Sequence, residues 1–523
     1  MSYSFLLIKK LHRTVCFCAP LPTVMDKQSD STESTGAAAP SPDLAGNAFW
    51  RMVTLMIKLV FQMFTLIVLS RILPVAAFGK LAYAMIFIGF VSMAARFGVT
   101  PAIIQRPDLS ERFLRAGFTL AMLFGVVGSL LLFLTAPLFS SDAETVGLIQ
   151  IISLIFVFFG FGSVAEAQLL REFNFKAIFF VELIAFFLGY TCISIGMALA
   201  GYGVWSLGVA AAMTAFLRSF LMVLVKRKFL FPCWSPEHFR DLLGFGAGLT
   251  LSAFMYFFSQ NLDYFVAGNM LDEESLAYYA RARHMVKIPS EIIIATAYAI
   301  LLSAFSRLNS DRCQLKQLYI SSASTVALPS IAIAVVLILI APQLMIFLFG
   351  ASWESSALPL QFLAMNCFFA LYTIGDALFV SQRKIYWQMA SQTVFATSVG
   401  LASLLGVKWG IVGLSIGVLL CTAACYTYVS QMCLRLLGAT WSEFIQCQLP
   451  ALVMGMAIAI AGGIVKYGLL GWNSPDWLIV FVVSVIALSV FAGLVFSPLR
   501  MFEPHRTMVM DLWKKKSASF FRN

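Results

Sequence analysis

The sequence is poor in charged residues, and this shortage excludes most classes of soluble protein. Asp, Glu, Lys and Arg make up 12% of the 523 residues, whereas a soluble domain carries roughly a quarter. Hydrophobic residues make up 60% of the chain. Apolar stretches of about 20 residues, the length that spans a bilayer, recur from residue 47 to residue 497. We therefore expect an all-α integral membrane protein.

Motifs for catalysis, metal binding and nucleotide binding are also missing from the sequence. The ten cysteines follow no disulfide or metal-ligand spacing, and the four histidines lie in no motif. There is no glycine-rich phosphate loop followed by a lysine, so direct use of ATP is not expected. The connections near 137–144 and 342–354 carry no cluster of catalytic groups. The sequence thus predicts no enzyme, no metal and no cofactor.

About fourteen apolar spans follow one another along the chain, and Lys and Arg are unevenly divided between their connecting loops. One set of loops holds Arg106, Arg112, Arg115, Arg171, Lys176, Lys226, Arg227, Lys228, Arg240, Arg307, Arg312, Lys316, Arg383, Lys384 and Arg435, and the other set holds Arg71, Lys80, Lys408 and Lys466. Because basic loops remain in the cytoplasm, both termini are predicted to be cytoplasmic. The net charge of +11 therefore indicates topology, and no nucleic-acid partner is expected.

The spans divide into two groups of six and a final pair. The segment at 72–84 resembles the segment at 270–282, and each forms the turn after the first helix of a group. Parallel repeats of this kind are a common way of building transporters. We expect an N-terminal lobe over 47–225 and a C-terminal lobe over 243–434 around a central cavity, with two further helices over 435–498.

The segments outside the spans are short and polar. Residues 26–43 are rich in Ser, Thr, Asp, Ala, Gly and Pro, and residues 1–46 are expected to form a disordered cytoplasmic tail. Met1 and Met25 both remain candidate start residues. Residues 226–242 are expected to be a cytoplasmic linker, and the basic tail over 499–523 is expected to lie against anionic lipid head groups.

Several charged side chains lie inside the predicted spans. A charge in the bilayer is unfavourable in free energy, so such side chains usually face the protein interior. The first helix carries a polar stripe, and the seventh and eighth helices bring an acid and a base to one level. Two interpretations remain open: a neutralising ion pair that holds the lobe together, or a cationic cavity that receives a phosphate-bearing head group. The candidate substrate-binding residues are Arg51, Lys58, Arg281, Arg283 and Lys287, and the candidates for ion coupling or structural pairing are Asp263 and Glu291.

Other charged residues lie within a turn or two of the predicted cytoplasmic edge. Long side chains at this depth extend towards the head groups, so no functional role is expected for them. These residues are Arg96, Glu166, Glu182, Arg218 and Asp376.

Several spaced segments resemble those of the Wzx-type polysaccharide flippases. The resemblance is carried by residues 70–79, 97–106, 170–176 and 261–282 and covers about residues 47–440. It is strongest to the polysaccharide transporter family within the multidrug/oligosaccharidyl-lipid/polysaccharide exporter superfamily. Two positions depart from that pattern, since Ala280 stands where a Ser is expected and a Gly-Pro pair is usual at Pro74.

The resemblance implies two six-helix bundles around a cavity that opens alternately to each side of the bacterial cytoplasmic membrane. The implied substrate is an undecaprenyl-pyrophosphate-linked oligosaccharide, which is flipped for exopolysaccharide, capsule or lipopolysaccharide synthesis. A polysaccharide polymerase and other synthesis proteins are implied partners. The resemblance implies a substrate-binding role for Arg281 in particular, because Arg281 lies within the matching motif.

Two other functions fit the same composition. A multidrug and toxin exporter has this fold, but it requires an acidic cavity for cationic drugs, whereas the predicted cavity helices are basic. A membrane polymerase or glycosyltransferase usually needs a large outer loop with catalytic groups, and the sequence has none. The flippase is therefore the preferred hypothesis.

Overall fold

The computed structural model describes residues 44–95, 99–106, 109–226, 231–308, 311–369, 371–497 and 500–503. Throughout these residues the regular structure is helical, and they contain no strand. The helices are α1 (Leu44–Ile72), α2 (Val75–Ala95), α3 (Val99–Gln105), α4 (Glu111–Phe139), α5 (Ala143–Arg171), α6 (Phe175–Leu199), α7 (Trp205–Lys226), α8 (Pro236–Met270), α9 (Glu273–Arg307), α10 (Arg312–Phe349), α11 (Ala351–Ser381), α12 (Ile385–Gly406), α13 (Gly410–Leu437), α14 (Trp441–Gly471) and α15 (Asp476–Val495).

The predicted all-α membrane fold is confirmed. Eleven stretches of the described residues are long and apolar enough to cross a bilayer. One of these stretches, Ile385–Leu437, contains both α12 and α13, and α2 has the shorter apolar segment Val75–Phe87. If α12 and α13 are counted separately, the eleven stretches contain twelve helices. With α2 and α8, the described residues contain fourteen long helices.

Polar side chains at the loops fix where several helices begin. The carboxylate of Asp272 accepts a hydrogen bond from the backbone N–H of Ser275 at 3.0 Å and caps α9. Thr440 and Glu443 form a reciprocal capping box at the start of α14. Both arrangements satisfy backbone N–H groups that have no partner within the helix. The long apolar helices are therefore closed by polar caps at the surface.

Helix α8 begins at Pro236, inside the segment 226–242 that was predicted as a linker. Ser235 precedes it, and proline is favoured in the first turn because its missing N–H has no helical partner there. Phe239 and Leu242 are buried in one cluster with Phe113 of α4. The apolar surface covered by these contacts explains the earlier start. The assignment of 47–225 and 243–434 to two lobes remains a prediction.

Residues 42–487 form one compact unit, in which neighbouring helices meet through small residues. Helices α4 and α5 approach so closely that a Cβ atom at Gly160 would lie 2.6 Å from the carbonyl oxygen of Ala121. A Cβ atom at Gly125 would lie 2.5 Å from the carbonyl oxygen of Phe156. The two glycines thus let each helix pack against the backbone of the other, as small residues do in membrane bundles.

Replacing Gly160 by alanine is expected to lower the thermal unfolding midpoint of the purified protein. The added methyl group must displace a helix backbone, and such overpacking costs about 1–3 kcal/mol. Gly196→Ala is the matched control, because no heavy atom lies within 4 Å of its added Cβ. The unfolding midpoints are measured by tryptophan fluorescence. Equal midpoints for Gly160→Ala and Gly196→Ala would contradict this account of the packing.

Candidate functional site

Successive long helices run in opposite directions, so their loops alternate between two ends of the bundle. We call the end formed by the loops with most Lys and Arg the basic face, and the other end the opposite face. α1 runs from the basic face to the opposite face, and α9 runs in the reverse direction. Contacts between residues of the two predicted lobes occur at both the opposite face and mid-depth.

At the opposite face, the beginning of α2 lies directly against the beginning of α9. A Cβ atom at Gly79 would lie 1.8 Å from the carbonyl oxygen of Glu273, so only a glycine permits this approach. The Nζ atom of Lys80 lies 2.8 Å from both Asp142 and Glu144 and 3.8 Å from Glu273. We call these four charged residues the Lys80 cluster. It joins α2 and the α4–α5 loop to α9, and thereby holds this face closed.

The contact between Lys80 and Asp142 persists over a wide range of pH. The hydrogen bond from Lys80, followed by one from the Thr145 hydroxyl, lowers the pKa of Asp142 from 3.8 to about 2. A carboxyl group whose pKa is lowered by folding stabilises the folded state above its ordinary pKa, and this stabilisation is lost as the pH falls through the lowered value. The contact is therefore fully formed at neutral pH.

Arg281 lies in an aromatic box at the same closed face. Its guanidinium carbon is 4.7 Å from the ring centre of Phe78, 4.8 Å from that of Phe349 and 4.6 Å from that of Trp353. Only 6% of the residue is exposed. These rings come from α2, α10 and α11, so cation–π attraction links elements of both predicted lobes. In this conformation Arg281 is part of the closure.

Asp263 and Arg283 form the buried ion pair between α8 and α9. The Nε atom of Arg283 lies 3.1 Å from Oδ2 of Asp263, and the hydroxyl of Tyr279 donates to the same oxygen at 2.5 Å. Arg283 also donates to the carbonyl oxygen of Gln260. Asp263 is 1% exposed. The sequence placed the acid at the level of Arg281, but its partner in the structure is Arg283.

Two lysines stand apart from these buried bases. Gln62 of α1 and His284 of α9 are 3.3 Å apart between their nitrogen atoms, which fixes the register of the two helices. Lys58 lies four residues before Gln62, and Lys287 lies three residues after His284, so both are about 5 Å nearer the basic face. Their side chains are 46% and 57% exposed. Each predicted lobe thus contributes one accessible lysine at similar depth.

Each lysine has a carboxylate of its own lobe within reach. Lys58 lies 4.0 Å from Glu182 of α6, and Lys287 lies 3.5 Å from Glu291 one turn along α9. A small cleft adjoins Lys58 and Glu182 and is also lined by Thr54, Ile57, Phe61, Phe179, Leu183 and Phe186. Each of the two lysines therefore combines an exposed side chain with a nearby carboxylate. The side chain of Arg51, the remaining candidate base, lies outside the described residues.

A second charge network lies behind Lys58, and the sequence analysis missed it. Arg218 of α7 donates to both oxygens of Glu166 at 3.1 and 2.9 Å and to Glu182 at 3.2 Å. These side chains face one another across α5, α6 and α7, and do not extend to the head groups as expected. The signal in the sequence was their common depth, since each lies five to eight residues from the basic-face end of its helix.

Asp376 is likewise buried, with 3% of the residue exposed. The expectation that it extends to the membrane edge is therefore wrong. Its two oxygens meet side chains of α12 inside the bundle. Arg96 lies outside the described residues. Within those residues, no group of three or more His, Cys, Asp and Glu side chains is arranged to hold a metal ion.

Lys80→Ala is expected to loosen the closed face, because it removes the only cation of the Lys80 cluster and leaves three carboxylates close together. Amide hydrogen exchange over the first turns of α9 should accelerate in this variant. Lys408→Ala, at the same face in the α12–α13 turn, is the control and should exchange like the wild type. Unchanged exchange in Lys80→Ala would refute the closing role.

Comparison with known proteins identifies the class of this chain. The model of a family described as polysaccharide biosynthesis protein matches residues 68–358, which is more than half of the chain. The chain belongs to this polysaccharide biosynthesis protein family. It is a multi-pass membrane protein.

Individual relatives agree with this family. The chain is 23% identical to the lipopolysaccharide biosynthesis protein WzxC of Escherichia coli (strain K12), over 79% of the chain and 87% of WzxC. It is 24% identical to the succinoglycan biosynthesis transport protein ExoT of Rhizobium meliloti (strain 1021), over 61% of the chain and 65% of ExoT.

The fold is also similar to a solved structure, that of the lipid II flippase MurJ in an inward closed conformation. The TM-score is 0.68, and the superposition covers 86% of this chain and 99% of MurJ at 14% sequence identity. At this identity the likeness concerns the fold alone.

Proposed function

We propose that the protein is a flippase that moves polyprenyl-pyrophosphate-linked oligosaccharide repeat units across the bacterial cytoplasmic membrane by alternating access. Its cargo would serve the synthesis of exopolysaccharide, capsule or lipopolysaccharide. Membership of the polysaccharide biosynthesis protein family supports this function, as does the similarity to WzxC, a lipopolysaccharide biosynthesis protein, and to ExoT, a succinoglycan biosynthesis transport protein.

The observation that carries the proposed mechanism is the pair of accessible lysines, Lys58 and Lys287. They lie at similar depth, both nearer the basic face than the contact between Gln62 and His284, and one belongs to each predicted lobe. A diphosphate bears several negative oxygens and is bound well by compact ammonium groups from two directions. We assign the lysine pair to the diphosphate, which would bridge the lobes from the basic face.

Glu182 and Glu291 complete this site as resting counter-ions. When no ligand is bound, they neutralise Lys58 and Lys287 in part. An arriving diphosphate displaces them, and Glu182 retains its bond to Arg218. The lysines are thus freed for the ligand without leaving an isolated carboxylate next to Lys58.

The distribution of loop charges supports an orientation with the basic face and both termini in the cytoplasm. In that orientation the Lys80 cluster closes the outer side, while Lys58 and Lys287 meet cargo that arrives from the inside. The remaining surface is expected to contact lipid, and a polysaccharide polymerase is a proposed partner on the outer side. The alternative, a drug exporter for cationic compounds, is disfavoured because the accessible ends of the site are lysines.

Lys58→Ala and Lys287→Ala are each expected to abolish most surface polysaccharide when they replace the wild-type gene. Removing one of two phosphate contacts weakens binding by about 10-fold to 100-fold if each charge-assisted bond contributes about 1.5–3 kcal/mol. Lipid-linked repeat units should accumulate on the cytoplasmic leaflet. The measurements are surface polysaccharide and the leaflet distribution of the lipid-linked units.

Lys316→Ala is the matched control, because Lys316 also lies at the basic face but is bound to Glu443 at 2.7 Å. It should restore polysaccharide to the wild-type level. If a deletion strain keeps its surface polysaccharide and becomes sensitive to cationic drugs, the flippase is excluded and the exporter takes its place. If both lysine variants restore polysaccharide fully, the site assignment is wrong.

A further inference from the structure

Asp376 is a buried carboxyl group that plays no part in the lysine site. It lies on α11, five residues or about 7.5 Å from the helix end at the basic face. Its Oδ2 atom accepts a hydrogen bond from the amide of Gln392 at 2.8 Å, and its Oδ1 atom lies 3.1 Å from Oγ of Ser391. Both partners belong to α12 and are neutral.

The hydroxyl of Ser391 is shared between this carboxyl group and a backbone carbonyl oxygen. The Oγ atom of Ser391 also lies 2.8 Å from the carbonyl oxygen of Gln388. A carbonyl oxygen can only accept, and a serine hydroxyl has a single proton to donate. The Ser391 hydroxyl can therefore donate to only one of these two oxygens at a time. The carboxyl group thus receives hydrogen bonds from two neutral donors at most on α12, the amide of Gln392 and the shared hydroxyl of Ser391.

No basic group neutralises Asp376 within the described residues. The titratable side chains of the packed helices that interact with it are Tyr298 of α9 and Cys425 and Cys433 of α13. On α10, Tyr319 is bonded to Cys433. None of these groups is cationic. An ionised carboxylate here would be buried without a counter-charge, which costs far more than protonation.

We propose that Asp376 is a proton-binding site, and that its proton couples the movement of the cargo to the proton gradient. The proton is held while α11 and α12 are packed together around Asp376, Ser391 and Gln392. When the two helices separate and water reaches the carboxyl group, the proton leaves for water and the carboxylate is solvated. Binding and release of the proton thus accompany a movement of α12 against α11.

The proton-binding part of this inference is independent of the cargo, whereas the coupling part rests on the proposed function. Asp376→Asn is the informative variant, because it keeps the size and polarity of the side chain but cannot take up or release a proton. Asp311→Asn is the matched control. Asp311 caps α10 at the basic face, and asparagine is an equally good cap.

The first experiment is infrared spectroscopy of the purified full-length proteins at neutral pH. A protonated carboxyl group has a carbonyl stretch that an ionised carboxylate lacks. The wild type and Asp311→Asn should share a component of this band that Asp376→Asn has lost. If Asp376→Asn keeps the whole band while its gel-filtration profile matches the wild type, Asp376 is ionised and the proposal is overturned.

The second experiment uses proteoliposomes that contain a fluorescent polyprenyl-diphosphate oligosaccharide. The rate at which this probe changes leaflet should respond to an imposed pH gradient in the wild type and in Asp311→Asn. In Asp376→Asn the rate should be the same with and without the gradient. A wild-type response in Asp376→Asn would refute the coupling. If the wild type moves no probe, the flippase function fails, and the infrared band still decides whether Asp376 holds a proton.

Discussion

Charge inside this bundle is held in place by opposite charge or by aromatic rings, and the arrangement of the helices follows from that requirement. A bilayer offers no water to solvate an ion, so a buried base needs its partner from a neighbouring helix. Arg218 joins α5, α6 and α7 in this way, Arg283 joins α8 to α9, and Arg281 gathers three aromatic rings. These arginines connect neighbouring helices. If one helix moves, the arginine that contacts it must find new partners.

The same requirement distinguishes the candidate binding residues from one another. Arg283 is paired with Asp263 and Arg281 is enclosed by three aromatic rings, whereas Lys58 and Lys287 have exposed side chains and, among the described residues, one carboxylate each within 4.0 Å. A ligand that brings several negative oxygens gains most from the two lysines. Positive charge in a membrane helix is therefore a poor guide to binding unless its existing partners are known.

The sequence predicts the helical membrane fold well, because apolar length and loop charge are properties of single segments. The sequence predicts less well which charged side chains contact each other. Depth along a helix follows from residue number, but Arg281 and Arg283 are separated by about 200° around the helix axis, and the side that faces α8 depends on packing. The depth predicted for Asp263 is therefore consistent with the structure, but its ion-pair partner is Arg283 and not Arg281. The division into lobes, the roles of the lysines and the orientation remain predictions.

The close contact between Gly79 and Glu273 has a consequence for how the protein treats different cargoes. This contact and the Lys80 cluster lie at the closed face, about 20 residues along α1 and α2 from Lys58. Under the proposed alternating access they separate once in every cycle, and both are contacts between groups of the protein itself. The energy needed to open this face is thus the same for every repeat unit. Breaking these contacts is thus a step of the proposed cycle that the protein sets for itself, whichever glycan it carries.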